Sequence, residues 1–166
     1  MLGLLLVLPT LTIVAQGQPR EIVRNDTRAV PVYSFSGLEP LLSSSSDTTF
    51  VINFWATWCA PCVEELPYFE ELTRSAVGAP IKVILVSLDF RKQLVTRLLP
   101  FLDKHDIRST VLVLDDPRAN DWINKVDPTW SGALPATLVF RGPRREFREQ
   151  SFTREELFQL VQSFTE

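Results

Sequence analysis

The feature that most constrains the fold is an abrupt change of pattern in the first half of the chain. Residues 48–55 form an unbroken aromatic and β-branched run, which is typical of a strand buried on both faces of a sheet. The stretch WCAPC follows at residues 58–62, and residues 63–75 then carry leucine and phenylalanine at helical spacing. The pattern predicts a strand–loop–helix unit with two cysteines, Cys59 and Cys62, at its junction.

The remainder of the chain repeats this alternation of apolar runs and amphipathic segments. Strands are predicted at residues 30–33, 48–55, 81–88, 110–114, 136–140 and 145–149, and helices at residues 63–75, 92–104, 120–125 and 154–164. Strands that alternate with helices imply parallel pairing through crossover connections, and the last two strands predict an antiparallel hairpin at one side. The expected fold class is α/β, with a central mixed sheet and helices on both faces.

The two cysteines are predicted to lie at a helix start, where unpaired N–H groups and a partial positive charge stabilise a thiolate. This position predicts a lowered pKa for the Cys59 thiol, which should be the more exposed of the two, with Cys62 one turn inside the helix. A Cys59 thiolate can attack a disulfide in another protein, and Cys62 can then attack Cys59 and release that protein reduced. An inert disulfide or two buried thiols are the alternatives, and the strand–helix context disfavours both.

The composition argues against several other functions. Two cysteines and one histidine, His105, fall short of the roughly four ligands of a structural zinc site. The formal net charge of -3 argues against a nucleic-acid partner, and the basic residues at 141–145 are predicted to form a solvated turn. Disulfide exchange requires no metal or organic cofactor, so none is expected. His105 is expected at the surface. Trp122 and Trp130 flank the loop before Pro135 and are expected in the core, with a part in shaping the substrate groove as the alternative.

The N-terminal segment predicts export from the cytoplasm. Its first 15 or so residues are almost wholly apolar but too short for a comfortable membrane span of about 20 residues. Small residues near position 17 fit a cleavage site. We therefore expect a signal peptide over residues 1–17, a linker or an opening strand over residues 18–29, and one domain over residues 30–166. No Lys or Arg precedes the apolar run, so the signal is atypical or begins upstream, and an uncleaved anchor is the alternative.

Two motifs together resemble those of a known family. The stretch NFWATWCAPC at residues 53–62, followed by Pro67, resembles the active-site segment of the thioredoxin superfamily, and is closest to its TlpA/ResA-like extracytoplasmic branch. LPAT at residues 134–137 resembles the second signature of that family, a cis-proline loop opposite the cysteines. The resemblance extends over most of the chain and implies a thioredoxin-like fold. It also implies that Pro135 is cis and that the Leu134 backbone pairs with an extended substrate segment.

Three further residues define the expected site. Trp58 is expected to shield the cysteines and to offer apolar contact to a substrate. Asn53 stands where cytoplasmic thioredoxins carry a buried aspartate, and an asparagine cannot take a proton from Cys62. Glu65 matches a helix glutamate that ResA-like proteins carry near the active site, so it is expected to modulate the cysteine pKa values or relay a proton. The alternative for Glu65 is a solvated helix glutamate, like its neighbours in the sequence.

The resemblance implies a function as well as a fold. A TlpA/ResA-like protein is expected to reduce or exchange disulfides in client proteins outside the cytoplasm, in the bacterial periplasm. Apocytochrome c, whose haem-binding cysteines must be reduced, is one implied client, so cytochrome c maturation is the expected process. An extracytoplasmic reductase must itself be supplied with electrons, which implies a membrane-bound electron donor. The protein is expected to be a monomer.

Three alternatives to this function stay open at this point. An oxidase would use the same cysteines to introduce disulfides, and the equilibrium with glutathione distinguishes the two directions. A module that holds a client or a metal would use only the fold, although a copper carrier usually adds a further histidine or methionine ligand. A peroxidase of the same superfamily would carry a Thr-x-x-Cys pattern, which this chain lacks.

Overall fold

The structure is a computed structural model that describes residues 17–166, and its centre is a seven-stranded sheet. In chain order the strands are β1 Glu21–Arg24, β2 Ala29–Tyr33, β3 Thr49–Trp55, β4 Ile81–Ser87, β5 Thr110–Leu114, β6 Ala136–Arg141 and β7 Arg144–Arg148. Across the sheet their order is β1-β2-β5-β4-β3-β6-β7. Strands β2, β5, β4 and β3 run parallel, whereas β1, β6 and β7 pair antiparallel with their neighbours.

Within residues 17–166, five α-helices cover the two faces of this sheet. They are α1 Phe35–Leu38, α2 Ala60–Ser75, α3 Leu99–Lys104, α4 Ala119–Val126 and α5 Arg154–Gln162. Buried side chains of α2, α3 and α5 share one apolar cluster with Trp55, and those of α1 and α4 share the other with Phe54. Successive side chains of a strand point to opposite faces, so the fully buried strand β3 needs cover on both. The predicted mixed sheet with helices on both faces is confirmed.

The topology brings three chain segments to one edge of the sheet. Strands β3 and β4 are parallel and in register from Thr49 beside Ile81 to Trp55 beside Ser87, so both end at the same edge. Strand β6 is antiparallel to β3, and its first residue, Ala136, pairs with Phe54. The loop after β3, the loop after β4 and the loop before β6 therefore meet where the cysteines lie.

Two predicted segments need correction. Residues 18–29 contain strand β1, which pairs with β2 and turns Val23 toward the core, so the opening strand is present where a linker was the other prediction. The helix predicted over residues 92–104, with an interruption expected at Pro100, is divided further than expected, into a 3₁₀ turn, a π-helical turn and α3. The reason is Pro100, which has no N–H to continue the helical ladder and therefore lies in the first turn of a new helix.

The basic turn is exposed at Arg144 and Arg145, as predicted, and its arginines also bind main-chain carbonyls. Arg141 donates to the carbonyl oxygen of Phe164 at 3.0 Å, and Arg144 donates to that of Ser163. Arg145 donates to the carbonyl oxygens of Leu42, in the 3₁₀ turn after α1, and of Val126, at the end of α4, at 2.9 and 3.0 Å. Guanidinium groups satisfy carbonyls that helix ends leave unpaired, so these arginines fasten chain segments to the sheet.

The predicted signal peptide at residues 1–17 lies almost wholly outside the described residues. Over residues 17–166, no helix is both long enough and apolar enough to cross a membrane.

Trp130 joins the core to the loop before β6. Its ring is 3% exposed and lies 4.8 Å from the ring of Phe54, and its Nε1 donates to the carbonyl oxygen of Ala133 at 2.9 Å. We expect Trp130→Ala to lower the free energy of unfolding by about 3–5 kcal/mol, because it leaves a cavity and frees that loop. Urea unfolding followed by far-UV circular dichroism measures the loss. A loss of less than about 1 kcal/mol would contradict this role.

Candidate active site

The two cysteines lie at the first turn of α2 and are joined by a disulfide. Cys59 is the N-cap residue, and its N–H donates to the carbonyl oxygen of Ala56 at 3.1 Å, which closes the turn between β3 and the helix. Cys59 is 6% exposed and Cys62 is 0% exposed. Cys59 is therefore the sulfur that another molecule can reach, in the order that the sequence predicts.

The sequence places the helix start at the cysteines for a clear physical reason. Pro61 lacks an N–H, and the first turn of a helix is where that donor is not needed. Helix α2 begins at Ala60, three residues before the predicted start, and continues through Pro67 to Ser75. The first turn of a helix has unpaired N–H groups and a partial positive charge, and Cys59 lies at this turn as the N-cap residue.

A groove opens directly beside Cys59. We call it the Cys59 groove. It is lined by Trp58, Cys59, Ala60, Pro61, Leu88, Gly132, Ala133 and Leu134. The Leu134–Pro135 peptide bond is cis, as the resemblance implies. The structure thus brings the predicted residues Trp58 and Leu134 into one groove with Cys59, and the cis bond joins Pro135 directly to Leu134.

The outer rim of the groove is aromatic. Trp58 is 45% exposed and Phe90 is 63% exposed, and their rings stack with centroids 6.0 Å apart. Two adjoining exposed rings form a contiguous apolar patch, and such patches are a common feature of interaction surfaces. The sequence pointed to Trp58 but not to Phe90, which follows an apolar strand and has no motif around it.

The opposite wall of the groove is held by an acceptor that the sequence did not reveal. Glu149 accepts hydrogen bonds from the N–H groups of Ser131 and Ala133 at 3.0 and 2.9 Å, and from the Ser131 hydroxyl. These bonds, chiefly those from Ser131, hold the pKa of the Glu149 carboxyl below its usual range. Between the two bonded residues lies Gly132, whose φ of 95° is a backbone conformation that favours glycine.

A second carboxylate lies beneath the cysteines. Glu65 is 1% exposed, so the alternative of a solvated glutamate is wrong. Its Oε1 accepts from Asn53 Nδ2 at 2.9 Å, and its Oε2 accepts from the N–H of Phe152 at 2.8 Å. Asn53 also donates to Thr137 Oγ1 at 3.1 Å, so the network joins α2 to β3 and β6.

Burial raises the pKa of Glu65 to about 7, although the hydrogen bonds from Phe152 and Asn53 pull it down. A carboxyl that titrates near neutral pH can both give and take a proton under physiological conditions. Glu64, the preceding residue of the helix, is exposed. The difference between these neighbours comes from the helical turn, which points one side chain inward and the other to solvent.

Of the other residues considered from the sequence, His105 lies apart from this site, whereas Trp122 and Trp130 line the groove that adjoins it. His105 is exposed and stacks on Phe101 with centroids 4.2 Å apart, as expected for a surface residue. Trp122 and Trp130 are buried in the core on the α4 face, and their ring centroids are 5.8 Å apart. Among residues 17–166, no three side chains of His, Cys, Asp or Glu are grouped to hold a metal ion.

Known proteins similar to this chain support one fold. A thiol:disulfide interchange protein of the thioredoxin family from Chlorobium tepidum has a TM-score of 0.62 and 14% identity, with 92% of this chain and 99% of that chain covered. A secreted thiol-disulfide isomerase from Corynebacterium glutamicum has a TM-score of 0.59 and 15% identity, with 72% of each chain covered. The thioredoxin-like fold that the resemblance implies is confirmed.

The sequence comparisons define the family. A thiol-disulfide oxidoreductase ResA from Oceanobacillus iheyensis is 35% identical over 109 residues, which cover 65% of this chain and 51% of that protein. This chain spans about half the length of the curated relatives it matches. The sequence profile of the AhpC/TSA family matches residues 37–143, which is more than half of the chain. The chain therefore belongs to the AhpC/TSA family, and within it resembles the ResA-like thiol-disulfide oxidoreductases.

Proposed function

We propose that this protein is a thiol–disulfide oxidoreductase that reduces or exchanges disulfides in extracytoplasmic client proteins. The observation that carries the proposal is the Cys59–Cys62 pair at a helix start, with one sulfur at the mouth of an apolar groove and the other fully buried. An inert disulfide needs neither the groove nor a buried carboxyl that titrates near neutrality. The relatives named as thiol-disulfide oxidoreductases support the same chemistry.

The reaction begins with the reduced protein. The Cys59 thiolate attacks one sulfur of a client disulfide, the client S–S bond breaks, and a mixed disulfide and a client thiolate form. The Cys62 thiol then loses its proton, and its thiolate attacks the Cys59 sulfur. The mixed disulfide breaks, the Cys59–Cys62 disulfide forms, and the second client sulfur leaves as a thiolate. The two client thiolates take up two protons, so two electrons pass from the protein to the client.

Glu65 has the position and the proton affinity to serve the second attack. Cys62 is fully buried, so its thiol cannot pass a proton directly to bulk water. Asn53 cannot accept a proton. Of the two buried carboxyls on α2, Glu65 lies nearer to Cys62 along the helix, three residues after it, since Glu70 lies eight residues after it. We assign Glu65 the role of the base that receives the Cys62 proton, directly or through water.

The Cys59 groove is proposed to hold the client segment next to its disulfide. It continues past Leu88 and Gly132 into an apolar groove whose walls include Phe90, Trp122 and Ile123. The indole Nε1 of Trp122 donates to the carbonyl oxygen of Asp116 at 3.1 Å, so its polar atom is satisfied within the fold. What the wall offers a client is apolar surface, together with the backbone of Leu134 for strand-like pairing.

Phe90→Ser is expected to lower kcat/KM for peptide disulfides about 10-fold, because exposed aromatic anchors contribute disproportionately to binding. The rate with oxidised glutathione, which is too small to reach Phe90 and Ile123 together, should stay unchanged. Val77→Ser removes a side chain that is 87% exposed at the far end of α2 and is the matched control. Equal losses for both substrates would show that Phe90 acts on the cysteines and not on the client.

The finer assignments extend the same proposal. The ResA resemblance supports a place outside the cytoplasm, in the bacterial periplasm, and apocytochrome c as a client in cytochrome c maturation. Each turnover leaves the Cys59–Cys62 disulfide, so a membrane-bound donor carrying a dithiol must return two electrons before the next cycle. We propose that the protein works as a monomer.

The test uses a peptide with an oxidised Cys-x-x-Cys-His motif, the haem-attachment sequence of c-type cytochromes. Reduced wild-type protein should convert this peptide to its dithiol form and acquire the Cys59–Cys62 disulfide in equal amount, as measured by alkylation and mass spectrometry. A reduced peptide that becomes oxidised by the disulfide form, with no reaction in the other direction, would show the oxidase alternative. No transfer in either direction would exclude disulfide exchange.

A further inference from the structure

Asp89 is a buried carboxylate outside the chemistry described so far. It lies two residues after β4 and is 3% exposed. Its Oδ1 accepts from the Thr57 hydroxyl at 2.5 Å, and its two oxygens accept from the Thr57 N–H at 3.2 and 3.0 Å. Ser87 Oγ donates to Oδ2 at 2.8 Å. These partners are all neutral, and burying a carboxylate is costly unless its oxygens are hydrogen-bonded in this way.

Thr57 occupies the loop that carries the reactive sulfur. It lies between Ala56 and Trp58, inside the turn that the hydrogen bond from Cys59 N–H to the Ala56 carbonyl closes. Fixing the Thr57 backbone therefore fixes the direction in which Cys59 leaves the sheet. A separate hydrogen bond joins Leu88 N–H to the Trp55 carbonyl oxygen at 2.8 Å, so the two loops are joined at two neighbouring points.

The same contact sets the geometry of the groove. Phe90 follows Asp89 directly, and its ring stacks on Trp58, which follows Thr57 directly. The Asp89–Thr57 pair thus joins the two loops immediately behind the aromatic rim. A shift of about 1 Å at such a place can cost a reaction about 100-fold, since attack on a disulfide requires an aligned sulfur.

We propose that Asp89 is a positioning residue for disulfide exchange. Its carboxylate accepts hydrogen bonds from Thr57 and so fixes the loop that presents Cys59 and Trp58 to a client. The inference rests on the proposed function, because it assigns a role in that reaction. It also makes a statement about the protein alone, that the Cys59 thiol is presented in one fixed position.

Asp89→Ala removes every acceptor for Thr57, and Asp89→Asn keeps one oxygen that can accept from the Thr57 N–H and hydroxyl. In the reduced protein, Asp89→Ala should change the rate and the pH profile of Cys59 alkylation by iodoacetamide, and should slow attack on a peptide disulfide about 10-fold or more. Asp89→Asn should restore both toward wild type. Thr57→Val, which loses only the hydroxyl, should fall between wild type and Asp89→Ala.

Glu70→Ala is the matched control, because Glu70 is also a buried carboxylate that accepts from main-chain N–H groups, those of Arg108 and Ser109 at 2.9 and 3.0 Å. It should lower stability without changing Cys59 alkylation. The proposal is overturned if Asp89→Ala behaves as Glu70→Ala does, or if Asp89→Asn is as slow as Asp89→Ala, since charge would then be the cause. Wild-type protein that is alkylated normally yet exchanges no disulfide defeats the proposed function, while the alkylation series still decides the role of Asp89.

Discussion

Cys62→Ala is expected to leave Cys59 covalently joined to its client. The first attack needs only the Cys59 thiolate, which lies at the mouth of the Cys59 groove. Release needs a second thiolate, and Cys62 is the partner to which the structure joins Cys59. The reduced variant, mixed with a disulfide-containing peptide, should gain the mass of one peptide half and lose it on treatment with dithiothreitol. Turnover should fall to the uncatalysed rate.

Cys59→Ala is the matched variant for this experiment. It also keeps one thiol, but the remaining thiol is that of Cys62, which lies in the interior and not in the groove. Cys62 is 0% exposed, so a client disulfide cannot reach it in the folded protein. No adduct should form, although the variant should unfold at nearly the same denaturant concentration as reduced Cys62→Ala. If Cys62 formed adducts as readily as Cys59 does, the assignment of the attacking and resolving sulfurs would be wrong.

Glu65→Gln is expected to slow release of the client from the mixed disulfide by about 100-fold, the usual loss when a proton-transferring group is removed. The wild-type release rate should rise with pH through about 7, where Glu65 ionises and becomes a base. In the variant this rise should disappear, while the rate of the first attack by Cys59 stays close to that of wild type. Rapid mixing followed by acid quench and mass analysis separates the two steps.

The same carboxyl makes folding stability depend on pH. Its pKa is about 7 in the folded protein, against 4.5 for an ordinary glutamate, so between these values the folded state holds a proton that the unfolded state has lost. Wild-type stability should therefore fall relative to Glu65→Gln as pH rises from about 4.5 to 7, by about 3 kcal/mol in total. Glu71 and Glu149 have lowered pKa values in the folded protein. Their contribution to folding stability is therefore lost as pH falls, which is the opposite direction to the effect of Glu65.

Glu64→Gln provides the control for both measurements. Glu64 is exposed and adjacent to Glu65 on the same helix, so its substitution removes one carboxylate from the same region without touching the buried network. It should change neither the release rate nor the slope of stability between pH 4.5 and 7. Equal effects from the two substitutions would mean that overall helix charge, and not the buried proton, controls the cysteines.

The sequence was sufficient to predict the centre of the fold and of the site. An apolar run as long as β3 has few places to lie except inside a sheet, and a Cys-x-x-Cys pair directly after it has to lie at a helix start. The order of elements then follows from alternation and crossover rules. Pro135 was found through its motif, and its cis peptide bond agrees with the family resemblance.

Contacts between distant segments could not be predicted in this way. Asp89 meets Thr57 across 32 positions of sequence, and Glu149 meets Ser131 across 18, so neither partner carries a local pattern. Glu65 stood among several helix glutamates, and only the packing of α2 on the sheet distinguishes it from Glu64. A weak signal for Asp89 existed, since polar residues just beyond the carboxyl ends of parallel strands often line functional sites.

The most direct measurement is redox equilibration of the wild-type protein with glutathione. The protein is held at defined ratios of reduced to oxidised glutathione, quenched with acid and alkylated, and its mass is measured by mass spectrometry. Cys59 and Cys62 together carry two alkyl labels when reduced and none when oxidised. A reductase should show one reversible two-electron transition at or below the cytosolic glutathione range, about -220 mV or lower. A transition near about -120 mV would reverse the direction of electron flow, and a disulfide that never equilibrates with glutathione would contradict a redox function for the pair.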